Sequence, residues 1–193
     1  MGGQKVQVVY FDAPGAANTD ETLALAKARA DALGIKTVVV ATTTGATGVK
    51  ASEVFRKGYT VVAVTHATSF AKPNENELQE VHRLALLEHG AKLVTCQHAF
   101  AGINRAIRRK FNTYQVDEII AETLRLMGQG TKVAVECVMM AADAGRVRVG
   151  ESVVAIAGTN GGADTALVVL ANTAQNLFDI RIQEVICKPA FRA

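Results

Sequence analysis

No apolar run in this chain of 193 residues approaches the roughly 20 residues that a helix needs to cross a bilayer. The N-terminal stretch has no long apolar core followed by a small-residue cleavage site, so no secretory leader is read. Cysteine is scarce. Cys96, Cys137 and Cys187 are odd in number and far apart, which argues against a disulfide framework and against zinc-type spacing, and fits reduced, buried thiols in the cytoplasm. Three catalytic signatures are missing: there is no G-x-S-x-G, no H-E-x-x-H and no G-x-G-x-x-G after a strand. No internal repeat, linker or low-complexity tract interrupts the chain. A formal charge of +3 is too small to imply nucleic acid. The one basic cluster, Arg105, Arg108, Arg109 and Lys110, has the spacing of a solvated helix face. The expected partners therefore include neither nucleic acid nor membrane, and no metal is expected.

What is present is the composition of a globular domain, 49% apolar and 20% charged, over a length that supports one full core, so residues 1–193 are read as a single domain. A short strand at 6–10 leads to Asn18 and Glu21, spaced as a capping box for a helix ending at Gly34. Residues 37–41 and 60–65 are β-branched apolar runs of the kind buried on both faces of a sheet, with a helix at 49–57 between them. Asn74 and Glu77 again have capping spacing, for a helix closing at Gly90, and a third strand follows at 91–96. Strand–helix–strand–helix–strand predicts a parallel sheet. Two further helices are expected at 97–110 and 115–127. The stretch 131–144 begins like a strand, but its apolar residues recur at helical spacing, and a buried helix is favoured. Strands at 151–157 and 165–170 follow, and 180–187 is expected to add an edge strand.

Two loops stand out. Thr42, Thr43, Thr44, Gly45, Ala46, Thr47 and Gly48 lie between a buried strand and a helix. There the helix's first unpaired N–H groups favour an anion, hydroxyls add donors, and glycine lets the backbone approach closely. The second loop runs through Gly158, Thr159, Asn160, Gly161, Gly162, Ala163 and Asp164. Alone it reads as a hairpin connection. If the strands before the two loops are neighbours, both loops border one pocket beyond the strands' carboxyl ends. His66 and His98 each follow a strand and are expected to face the same rim. Cys96 and Cys137 have no activating partner in sequence and are read as core.

The segment VVVATTTGATGVKASEVFRKGYTVVAVT resembles the opening of the pyruvate kinase C-terminal domain, where a Thr/Ser-Gly loop grips a phosphate of the allosteric sugar bisphosphate. GESVVAIAGTNGGADTALVV is similar to that domain's closing strand pair and Gly-rich effector loop. Over nearly its whole length, including GAKLVTCQHAFAGINRAIRRKF, LRLMGQGTKVAVECVMMAADAG and EVICKP, the chain resembles short archaeal and bacterial proteins built on this domain alone. The resemblance implies a three-layer α/β/α sandwich with a mixed five-stranded sheet, order 3-2-1-4-5, the fifth strand antiparallel. Some members of that group hold flavin mononucleotide (FMN). Carried over, residues 42–48 would bind its phosphate, and its ring or ribityl would lie against His66, Gln97, His98 and residues 158–164. The sequence departs from full pyruvate kinases in having no barrel domain and no acidic metal-binding motif, so the kinase reaction is not carried over.

The leading expectation is an FMN-binding protein of unassigned reaction, with flavin-dependent oxidation–reduction as the class of chemistry it would serve. The alternative is a non-catalytic sensor of another phosphorylated metabolite. A third expectation is a subunit of a larger assembly, and a homo-oligomer is the expected state.

Overall fold

The computed structural model describes residues 3–190. Its strands are β1 Val9–Phe11, β2 Thr37–Ala41, β3 Thr60–Val64, β4 Lys92–Val94, β5 Ser152–Ala157, β6 Thr165–Leu170 and β7 Arg181–Pro189. Its α-helices are α1 Thr19–Leu33, α2 Ala46–Val54, α3 Glu80–Glu88, α4 Ile103–Phe111, α5 Val116–Arg125 and α6 Gln129–Asp143. One mixed sheet runs β1-β7-β6-β5-β2-β3-β4.

The valine-rich strands read as they do because helices cover both faces. Successive side chains of β2 alternate between them. Val38 and Val40 pack with Leu23, Ala26 and Ala30 of α1, with Phe55 and with Leu86 of α3. Val39 packs on the opposite face with Ala134, Cys137, Val138 and Ala141 of α6. The layers are therefore helix, sheet, helix. α6 is almost wholly buried, which explains why its sequence resembled a strand at first.

The sheet has seven strands, as many as the sequence pattern marks out, rather than the five that the resemblance implies. The run β4-β3-β2-β5-β6 keeps the expected order inside it, and β6 is antiparallel to β5. The C-terminal strand is not an edge strand: β7 lies between β6, to which it is antiparallel, and β1, to which it is parallel. A partner from the far end of the chain leaves no local periodicity, so a five-stranded reading could not anticipate it.

Helix starts also moved. Asn18 precedes α1, but its side chain donates to the Ala13 carbonyl instead of capping the helix. Asn74 caps nothing, and α3 begins at Glu80. The helix expected from 97 begins at Ile103, after Gly102 with φ +83°. The one reciprocal capping box among the described helices joins Gln115 and Glu118 at the start of α5.

The start of α6 approaches β6 closely. A Cβ at Gly130 would lie 2.1 Å from Thr165 Oγ1 and 2.5 Å from its Cβ, and Thr165 is fully buried and β-branched. Gly130→Ala should therefore push the first turn of α6 off the sheet. The expected cost is about 1–3 kcal/mol in urea unfolding. An unchanged midpoint would mean that this contact yields freely.

Candidate functional site

Beyond the carboxyl ends of β2, β3 and β5 lies a cleft of about 570 Å³, within the range of roughly 300–1,000 Å³ usual for small-molecule sites. Its geometry follows from β2 and β5 being parallel neighbours, with Val38, Val39 and Val40 opposite Val154, Ala155 and Ile156. The two loops singled out in the sequence leave these strands on the same side and face each other.

In the first loop, Thr43, Thr44, Ala46 and Thr47 line the cleft. Thr42 does too, but its Oγ1 accepts a hydrogen bond from the Gly48 amide at 3.1 Å and so closes the turn. Gly45 and Gly48 are buried. Gly45 has φ +100°, and a Cβ there would meet the His82 Cβ at 2.4 Å. These glycines let the loop pack; they are not in the lining. The amides of Ala46 and Thr47, in the first turn of α2, have no intrahelical acceptor and carry the positive end of its dipole.

In the second loop, Gly158, Asn160, Gly161 and Gly162 reach the cleft, whereas Thr159, Ala163 and Asp164 do not. Asp164 is wholly buried. Its carboxylate accepts from the Gly15 amide at 2.9 Å, the Thr159 amide at 3.1 Å and the Thr165 hydroxyl at 2.7 Å. It is a brace that pins the loop to the segment before α1. The loop closes a hairpin, since β5 and β6 pair directly across it, and it also borders the cleft.

His66 lines the cleft at the end of β3. Its Nδ1 lies 2.7 Å from Glu77 Oε2, and its Nε2 lies 3.5 Å from Thr43 Oγ1. Glu77 is an acceptor, so Nδ1 carries the proton and Nε2 is left as the basic nitrogen. The His66 ring also contacts Phe70 at 4.2 Å and His98 at 5.2 Å. Phe70 and His98 stack at 4.7 Å with planes 9° apart. Burial holds the His98 imidazole below its ordinary pKa, favouring the uncharged ring. Its Nε2 accepts the Ala67 amide at 3.3 Å. Gln97, expected in the same site, faces an adjoining pocket instead.

The wall opposite the Thr42–Gly48 loop comes from α5, α6 and α4. Arg105, Arg125, Gln129, Lys132, Val133 and Glu136 all line the cleft, and sequence reasoning singled out none of them for it. Lys132 and Glu136 are 8% and 4% exposed, with Nζ to Oε2 at 2.5 Å. Glu136 Oε1 also accepts the Phe100 amide at 3.0 Å. The usable signal was a lysine and a glutamate at i, i+4 in a helix otherwise read as buried, since charges there need each other and a purpose. Cys137 also lines the cleft, but burial raises its thiol far above the ordinary range, so it is not a thiolate nucleophile. Cys96 is likewise raised by burial, and Cys187 is pushed up to about 11 by the same cause. Among the described residues no helix is long and apolar enough to cross a membrane.

Comparison with known proteins matches residues 20–169 to the family described as the pyruvate kinase alpha/beta domain. Among solved structures, the chain is similar to a pyruvate kinase from Cryptosporidium parvum, with 18% identity and a TM-score of 0.41, over 82% of this chain and 23% of that one. It is also similar to the Cryptosporidium parvum pyruvate kinase in complex with ADP, with 18% identity and a TM-score of 0.38, over 80% of this chain and 23% of that one. The chain thus spans less than a quarter of the length of these enzymes.

Two outcomes test this geometry. Gly162 has φ +66°, and a Cβ there would lie 2.5 Å from both Ala16 Cα and Thr19 Oγ1. Gly162→Leu should therefore lower the melting temperature sharply, its side chain driven against the start of α1 rather than into the cleft; a near-native Tm would contradict the packing. Lys132→Met should cost about 3–5 kcal/mol by stranding the Glu136 charge. The double variant K132M/E136M should recover all but the roughly 1–3 kcal/mol due to the unpaired Phe100 amide. Chemical denaturation of the three proteins measures both.

Proposed function

The chain belongs to the pyruvate kinase alpha/beta domain family, and we propose that its cleft binds FMN, the phosphate against the Thr44–Thr47 turn and the ring system toward the His66–Phe70–His98 side. The carrying observation is that one cleft holds both halves of such a site. At one end are hydroxyls and the free amides of α2; at the other are an aromatic ring and two imidazoles in mutual contact. The fit is supported by volume, by two guanidiniums in the lining that no lining carboxylate neutralises, Arg105 and Arg125, and by flat aromatic surface against which a planar ring can lie. Gly158 and the Asn160–Gly162 turn offer backbone where bulk would obstruct the ligand.

Of the residues expected to bind the cofactor, Thr43, Thr44, Ala46, Thr47, His66, His98, Gly158, Gly161 and Gly162 keep direct roles in this reading. Thr42, Gly45, Gly48, Thr159, Ala163 and Asp164 shape the two turns, and Gln97 serves the adjoining pocket. A bound flavin supplies a two-electron acceptor. The protein's own part is to hold the phosphate, shield the ring on the Phe70–His98 side, and offer His66 Nε2 as a proton acceptor oriented by Glu77. The kinase reaction is no part of the proposal.

Replacing Thr44 and Thr47 by Val keeps their shape and removes two donors. A charge-assisted hydrogen bond is worth about 1.5–3 kcal/mol, so FMN affinity should fall by roughly two to four powers of ten, at about 1.4 kcal/mol each. Riboflavin, which lacks the phosphate, should bind both proteins equally weakly. Isothermal titration with both ligands checks this. Equal loss for both would assign these threonines to the fold, and saturation by another phosphorylated metabolite without flavin binding would favour the sensor reading.

A further inference from the structure

We infer that the pocket adjoining the cleft is a binding chamber for a small carboxylate, held by Arg105 and Arg109. This goes beyond the cofactor reading, because the chamber is walled off from the cleft and its occupancy can be measured without any flavin. The pocket has a volume of about 530 Å³ and is bordered by Phe70, Gln97, His98, Arg105 and Arg109. Phe70, His98 and Arg105 also border the cleft, so the two cavities share one wall of stacked rings capped by a guanidinium.

The basic cluster on α4 divides in two. Arg108 is spent inside the protein: it lies 3.5 Å from Glu118 and 3.8 Å over the Tyr114 ring. Arg105 and Arg109, one helical turn apart, turn to the pocket. Arg105 sits 4.9 Å over Phe70, which fixes it without neutralising it. Among the described residues neither arginine has a carboxylate partner, and no acidic side chain lines the pocket. The Cys96 thiol in the lining is kept protonated by burial and does not supply the missing anion.

Two unpaired guanidiniums on successive turns present planar forks, which match a carboxylate in bidentate fashion. Gln97 adds an amide for a second oxygen. The phosphate-type features, threonine hydroxyls and the free amides of α2, lie in the cleft and not here. A carboxylate in the chamber would sit one wall away from the cleft and from His66, so the chamber is a second subsite beside the cleft and not the place where its ligand reacts.

The test is an amide-resolved NMR titration of the full chain, free of flavin, with oxalate, neutral oxamide and inorganic phosphate. Oxalate should shift the amides of Ala67, Gly102 and Ala106 saturably, and oxamide should not. Arg109→Gln lies on an exposed helix face and should weaken oxalate about ten- to a hundredfold, with FMN affinity unchanged. Arg109→Lys should recover only part of the loss. The T44V/T47V variant should bind oxalate normally. Failure of oxalate to saturate, an undiminished affinity in Arg109→Gln, or preference of the chamber for phosphate over oxalate would each overturn the inference. Loss of FMN binding in wild type with oxalate binding intact would remove the cofactor reading and leave the chamber standing.

Discussion

Backbone hydrogen bonds between β2 and β5 hold Val38–Val40 beside Val154–Ile156, and the cleft exists because of that pairing. β2 is followed by a helix on one face, β5 by a hairpin into β6. Connections that diverge from neighbouring parallel strands leave a gap beyond their carboxyl ends, which neither loop fills. Buried valines on both faces fix the register, since a slip of one residue would turn each of them to the wrong layer. The floor of the site is therefore as rigid as the core beneath it.

Onto that floor the fold sets charges at different depths, and depth decides what each can do. Lys132 and Glu136 are nearly inaccessible and neutralise one another, so they define the wall and the field inside it more than they offer a free charge. Thr44 and the first turn of α2 are at the mouth, where hydroxyls and amides can exchange water for an anion at little cost. His66 is between these limits, half-exposed and oriented by Glu77. A site graded in this way can anchor a charged group at its rim while keeping one basic nitrogen near its interior.

The Phe70–His98 stack separates two cavities of similar size. Its position depends on residues 67–70, which follow His66 after β3, and on residues 97–102, which precede α4. Both segments are irregular, and irregular segments on a rigid sheet are where binding surfaces are usually built. The arginines of α4 belong to this wall, which is why a cluster with the spacing of a solvated face also has work inside the molecule.

The sequence by itself determined the layers and most of the elements. Unbroken valine runs, helical periodicity and punctuating glycines are local signals, and they identified β2, β3, β5, β6, the buried α6 and both loops of the cleft. Only the tertiary structure decided which residues of those loops reach the cleft and which brace it. Thr42, Gly45 and Asp164 look like their neighbours in sequence, but their partners, Gly48, His82 and Gly15, are set by folding. The same holds for β7 between β6 and β1, for Glu77 behind His66 and for Arg105 above Phe70. Each is a contact between segments whose own periodicity is silent about the other, so the chain had to be closed on itself before the site had all its walls.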